Sequence, residues 1–255
     1  MNTFKELYAY RQMIFSLVKK DLRGRYKGSV LGFLWTFINP LLQLVVYTIV
    51  FSFILKTNIE RYYLYLFVAL IPWIFFSSSI TVGSASIVAQ KDLIKKIYFP
   101  RMVIPISYVT SSFVNMLLCF IVIFAVIIVS GAGINFLALL TLPVIMLVEY
   151  ILALGMAMLT SAITVYFRDL EHILGIVTMA WMYMTPIMYD KSIVPENLMP
   201  IFNLNPMTHV IECYRAVLYE KKIPDLTTLL SAAGLGILIL IVGILVFNKL
   251  QKRFA

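Results

Sequence analysis

Long apolar runs dominate the pattern of the chain, at residues 31–55, 62–89, 103–129, 136–165, 173–189 and 226–247. Crossing about 30 Å of hydrocarbon takes roughly 20 apolar residues in a helix, whereas barrel strands would read as roughly 10-residue alternating segments. The runs fit the first pattern and predict an all-α polytopic membrane protein with six transmembrane helices. Ahead of them, apolar residues recur at helical spacing (Phe4, Tyr8, Phe15, Val18, Leu22) beside a fringe of Lys5, Lys19, Lys20, Arg23 and Lys27. Such a helix lies in the headgroup plane. The chain therefore divides into a cytoplasmic amphipathic interfacial helix, residues 1–30, and a transmembrane domain, residues 31–255. The start shows no short basic-then-apolar leader with a cleavage site, so the first helix is expected to be retained.

Composition agrees with the pattern. Hydrophobic residues make up 62% of the 255, charged residues 13%, and mean hydropathy is +0.94, too little polar surface to coat a soluble globule. The net charge of +9 is unevenly placed. Residues 1–30, the connection 90–101 (Lys91, Lys95, Lys96, Arg101), Arg168, and Lys249, Lys252 and Arg253 fall on one side. Lys56, Arg61, Lys191, Arg215, Lys221 and Lys222 fall on the other. Basic residues stay preferentially in the cytoplasm, so both termini are predicted inside. The asymmetry accounts for the charge without nucleic acid.

Several positions carry candidate chemistry. Gly24, Gly28 and Gly32 are four apart and on a continuous helix would form one stripe for close backbone approach; flexible glycines in a basic anchor are the alternative. Residues 190–222 hold two amphipathic pieces broken by Asn205-Pro206, suiting a re-entrant hairpin or a pair lying on the outer surface. Tyr47, Trp181 and Tyr183 lie deep in their runs beside Pro40 or Pro186, which favours a pore lining over the aromatic belt. Glu149 falls near the middle of the fourth run with no basic partner in neighbouring runs, so helix packing is favoured over proton coupling. His172, His209, Cys119 and Cys213 are scattered, which predicts no catalytic group, no metal site and no disulfide framework.

Arg25-Tyr26-Lys27-Gly28-Ser29, Leu31-Gly32, Leu34-Trp35, Pro40-Leu41, Tyr47 and Val50-Phe51, followed by "LIKKIYFPR" (93–101), "YFRDL" (166–170) and "NLNPMTHVIECYR" (203–215), resemble in order the membrane subunits of bacterial polysaccharide ABC exporters. The resemblance implies a homodimer working with two cytoplasmic ATPase subunits in the bacterial plasma (inner) membrane, moving lipid-linked O-antigen, teichoic acid or capsule outward. An ABC-2 permease for a drug or small lipid is the alternative. It implies that 90–101 is the coupling segment, with Leu93, Ile94, Lys95, Lys96, Ile97 and Tyr98 meeting the ATPase; without it, an ordinary basic loop would serve. It implies an outer hairpin that restricts the pore, and a cytoplasmic turn at Arg168 and Asp169 that orients the chain. Arg23, Arg25 and Lys27 would meet the phosphate head of the carrier lipid. Independently, the chain has no Gly-x4-Gly-Lys-Ser/Thr loop, so it is expected to bind no cofactor and to rely on ATP and Mg bound by its partner. A membrane glycosyl- or acyltransferase would instead present paired acids or a His-Asp element, and neither is seen.

Overall fold

The computed structural model describes residues 3–25, 28–54 and 57–253; Tyr26, Lys27 and Leu55 are outside that set. Regular structure within it is helical: α1 (Thr3–Ala9), α2 (Arg11–Gly24), α3 (Trp35–Thr48), α4 (Tyr62–Ala89), α5 (Lys91–Lys96), α6 (Val103–Val129), α7 (Phe136–Leu139), α8 (Leu142–Thr164), α9 (Leu170–Tyr183), α10 (Met199–Leu204), α11 (Pro206–Leu218) and α12 (Leu226–Leu250). Among the described residues, five stretches are long and apolar enough to cross a membrane: Gly32–Ser52, Tyr62–Ala89, Val103–Val129, Phe136–Thr164 and Leu226–Leu250. The run predicted over 173–189 differs. Its helix, α9, has 14 residues, about 21 Å at 1.5 Å per residue, and the chain leaves it at Met184, just before Thr185-Pro186. A residue ahead of proline is disfavoured in the α region, and proline cannot donate to a further turn.

α4 is the axle of the bundle. It is apolar on every side and packs against α3, α6, α8, α9 and α11, as an all-round hydrophobic helix must. Leu66, Val68, Leu70 and Phe76 have no solvent-accessible surface. α12 lies against α8 through small residues. A Cβ on Gly155 would come within 2.6 Å of the Leu240 backbone, and Gly243 presses on the Gly155 carbonyl. Small residues let helix backbones approach this closely where lipid supplies no hydrophobic drive for association.

The glycine stripe is not formed. α2 ends at Gly24, and Gly28 (φ +87°) and Gly32 (φ +47°) sit in left-handed backbone, with nothing within 4 Å of a Cβ built on either. They turn the chain from the interfacial helix into the first span, a job for glycine because a Cβ is penalised there. The amphipathic segment also divides at Tyr10 into α1 and α2. Leu7, Ile14 and Leu17 pack onto the cluster of Phe99, Met102, Ile104 and Phe247, while Tyr8 and Phe15 face outward, 69% and 68% exposed. This segment rests on protein with one apolar edge and leaves the other exposed.

Pro40 lies buried inside α3. Its missing N–H would have met the carbonyl of Thr36. That carbonyl accepts instead from Cys119 Sγ of α6 at 3.4 Å.

Candidate functional site

At the C-terminal end of α9, Asn205 and Arg215 organise the exit from the helix. Asn205 precedes Pro206, a pairing of N-cap and first-turn proline that starts a helix, and its Oδ1 accepts from the Met207 amide at 3.1 Å. The same Oδ1 accepts from Trp181 Nε1 at 3.0 Å, and Nδ2 donates to Thr185 Oγ1 at 2.9 Å and the Met184 carbonyl at 3.2 Å. Arg215, 6% exposed, donates to the carbonyls of Pro186 (2.5 Å) and Ile187 (2.6 Å), with its guanidinium carbon 3.6 Å from the centre of the Tyr65 ring. Tyr62 and Tyr65 donate to the next two carbonyls, Met188 at 2.8 Å and Tyr189 at 3.0 Å. Four consecutive carbonyls of a broken helix are thus met by side chains, as buried backbone requires. Asp190 follows; hydrogen bonds from Ser192, with a smaller effect of the Arg215 charge, hold its carboxyl below the usual range. Lys191 pairs with Glu212 at 2.8 Å, tying this loop to α11.

At mid-bundle, Glu149 of α8 is fully buried and accepts from the Tyr214 hydroxyl of α11 at 2.7 Å; its Oε1 has no partner. Glu149 therefore fastens α11 to α8. Of the three predicted pathway aromatics, Tyr183 is 58% exposed and Tyr47 half-buried, and the two are close enough to interact electrostatically. Asn39 and Gln43, both exposed, precede Tyr47 at four-residue steps on α3. Four-residue steps put them on one face, so α3 carries a polar stripe on its open side. Trp181 is placed differently: it stands edge-on to Phe76, ring centroids 5.2 Å apart, and bonds Asn205.

At the opposite end of the bundle, α5 and the residues after it leave Lys95, Lys96, Ile97 and Tyr98 exposed, Tyr98 at 95%, with Leu93 and Ile94 half-buried. Ile97 and Tyr98 border a cleft of about 610 Å³ that also involves Tyr10 of α2's start and Gln251 after α12. Arg168 and Asp169 form an exposed turn whose carbonyls accept from the amides of Glu171, His172 and Ile173. No ion pair joins them among the described residues. Arg168 instead borders a small cavity of about 220 Å³ with Lys91, Lys95 and Ile94.

The predicted headgroup cluster is split. Arg25 Nε pairs with Asp21 at 2.8 Å and its Nη2 donates to Ser112 Oγ at 3.1 Å, while Ser111 bonds Asp21, so Arg25 pins α2 to α6. Arg23 is exposed and, with Lys19, rims a mostly apolar groove of about 680 Å³ walled by Phe15, Val18 and Phe33. Lys27 is outside the described residues. Sequence reasoning passed over Asp21, gave Asn205 only as part of the Asn-Pro break and counted Arg215 only as an outer charge; the Asn-Pro helix start was the one local signal.

The bundle of long apolar helices and the polar ties buried within it define a multi-pass membrane protein. Over residues 12–219 it matches the ABC-2 type transporter family, and the chain belongs to that family. It is 34% identical over 253 residues to the O-antigen export system permease protein RfbA of Myxococcus xanthus, covering 98% of this chain and 97% of the relative. With the protein of the same name from Klebsiella pneumoniae it shares 35% identity over 239 residues, 94% of this chain and 92% of the relative. The polysialic acid transport protein KpsM of Escherichia coli is 22% identical over 246 residues, 93% of each chain.

Proposed function

We propose that this chain is the membrane subunit of an ATP-driven exporter that moves lipid-linked polysaccharide outward across a bacterial inner membrane. The observation that carries the reading is near-full-length similarity to permeases named for O-antigen export. The polar stripe Asn39, Gln43 and Tyr47, beside Tyr183, supports it, since polar side chains at membrane depth face a partner or a water-filled path. Two copies facing each other across α3 and α9 would enclose a route lined by these residues, each offering weak contacts that let a sugar chain slide. Trp181, bonded to Asn205, serves the frame of that route.

In this reading the sixth span is α9 together with Met184–Tyr189, the termini are cytoplasmic, and α10–α11 form a re-entrant hairpin at the outer mouth. ATP and Mg bind to two copies of a separate ATPase subunit, which engages the exposed side of α5 from Lys95 to Tyr98. The turn at Arg168 and Asp169 lies beside that contact. Arg23 and Lys19 at the rim of the interfacial groove attract the phosphate head of the carrier lipid, with Lys27 adjoining in sequence; Arg25 acts by holding α2 in place. Deleting the gene should remove polymer from the cell surface and accumulate it inside, with restoration by the intact gene but not in cells whose adjacent ATPase is inactive. Surface polymer undiminished by the deletion overturns the reading.

A further inference from the structure

Beyond short-range backbone bonds from the amides of Met184, Thr185 and Ile187, the stretch Met184–Tyr189 is held by side chains from two directions. Asn205 and Arg215 of the hairpin take Met184, Thr185, Pro186 and Ile187, and Tyr62 and Tyr65 at the start of α4 take Met188 and Tyr189. Because none of these side-chain bonds belongs to a helix ladder, breaking them leaves the backbone bonds of α4, α9 and α11 in place. Arg215 is not fully satisfied where it sits: its buried Nε has no partner. A buried donor left unmade favours any arrangement that would meet it. Asp190 and Glu212 are the acids within electrostatic reach of the guanidinium, and Glu212 already holds Lys191. Asp190 is therefore the second acceptor on offer, a few residues further along the same stretch.

The other end of α9 adjoins the cytoplasmic contacts. Arg168, two residues before the helix, shares its cavity with Lys91, Ile94 and Lys95 of α5. Between the two ends α9 exposes Ile176, Met179 and Tyr183, and packs mainly on α4 and α8. A rigid 14-residue rod thus joins the α5 region to the Arg215 fastening.

We propose that Arg215 is a positioning residue that acts as a releasable outer catch on α9: displacement at α5 passes along α9 and is completed when the guanidinium lets go of the Pro186 and Ile187 carbonyls. This deepens the exporter reading and rests on it for the source of the displacement. Coupling of this kind needs an element with two arrangements that both ends bias, and the catch supplies it.

The test places a thiol on Ile187, which has no accessible surface in the held state. The variant Ile187→Cys is made in a Cys119→Ser, Cys213→Ala background and exposed from outside intact cells to a membrane-impermeant maleimide. With a hydrolysis-inactive ATPase partner, labelling should be slow; with the active partner it should rise about tenfold or more, the factor that goes with losing one charge-assisted hydrogen bond. Arg215→Met should label fast with either partner. Tyr65→Phe keeps the ring under Arg215, removes only the bond to Tyr189, and should give a smaller rise; it serves if Arg215→Met fails to reach the membrane. Equal slow labelling with active and inactive partners overturns the catch, as does slow labelling in both variants. The two variant arms need no partner, so they report on the fastening even if deletion of the gene leaves surface polymer intact and the exporter reading falls.

Discussion

Gly155 and Gly234 make opposite predictions for the same substitution. A methyl group on Gly155 would stand 2.6 Å from the Leu240 Cα and amide nitrogen of α12. Those are backbone atoms and cannot rotate away, so α12 must move by about 1 Å to restore van der Waals contact, and the packing of α8 on α12 loosens along its length. Overpacking against backbone costs about 3 kcal/mol, and the better helix propensity of Ala returns about 1. The net loss is about 2 kcal/mol. Gly234, exposed on α12, has nothing within 4 Å of an added Cβ, so Gly234→Ala should gain up to about 1 kcal/mol. For a chain of this size 1 kcal/mol corresponds to about 2 to 4 °C in Tm. In detergent, with unfolding followed by loss of the monodisperse peak on size exclusion after heating, Gly155→Ala should melt about 4 to 8 °C below the parent and Gly234→Ala slightly above it. If Gly155→Ala melts at or above the parent, the close crossing of α8 and α12 is wrong.

Other contacts are open to equally direct measurement. Tyr214→Phe removes the bond to Glu149 and should cost about 0.6 to 1.7 kcal/mol in the same melting assay, while Glu149→Gln, which keeps an acceptor, should cost less. Arg25→Ala and Asp21→Ala should be strongly non-additive, because each alone leaves a charge beside Ser111 and Ser112; additive losses would deny the cluster. Charge reversal at Lys95 and Lys96 should reduce co-purification of the ATPase with no loss of permease from the membrane. Tyr47→Ala and Tyr183→Ala should slow appearance of surface polymer at unchanged Tm, whereas Trp181→Phe, losing its bond to Asn205, should lower Tm by a few degrees.

Long apolar runs were legible because a membrane helix satisfies its own backbone: α4 and α6 occupy the same residues as the runs read from the sequence. The reading failed where one residue outweighs a run. Pro143 stands at the start of α8, so the fourth run divides into α7 and α8, and Pro186 follows the shortened α9. The glycine repeat looked helical only while the chain was assumed to continue as helix; φ values of +87° and +47° turn it into a bend. Arg215 read as one more outer-loop charge, because its partners lie 28, 29 and 150 positions away and no spacing rule reaches that far. Arg25 read as a headgroup ligand for the same reason: Asp21 is one helical turn back, but Ser111 and Ser112 come from another span.

The proline in α3 has a consequence for how the first span can travel. By giving up a bond within its own helix it leaves the Thr36 oxygen to a thiol on α6, so the two spans share one acceptor at the level of the kink. Swinging α3 away from α6 at that height would bare a carbonyl to hydrocarbon, at a cost of several kcal/mol. The span is thereby pinned near its N-terminal third, and rocking about that pin would carry Gln43 and Tyr47 through a wider arc than anything nearer α2. Substituting alanine for Cys119 in a cysteine-free protein would pull the pin, which makes serine, still a donor, the sounder replacement.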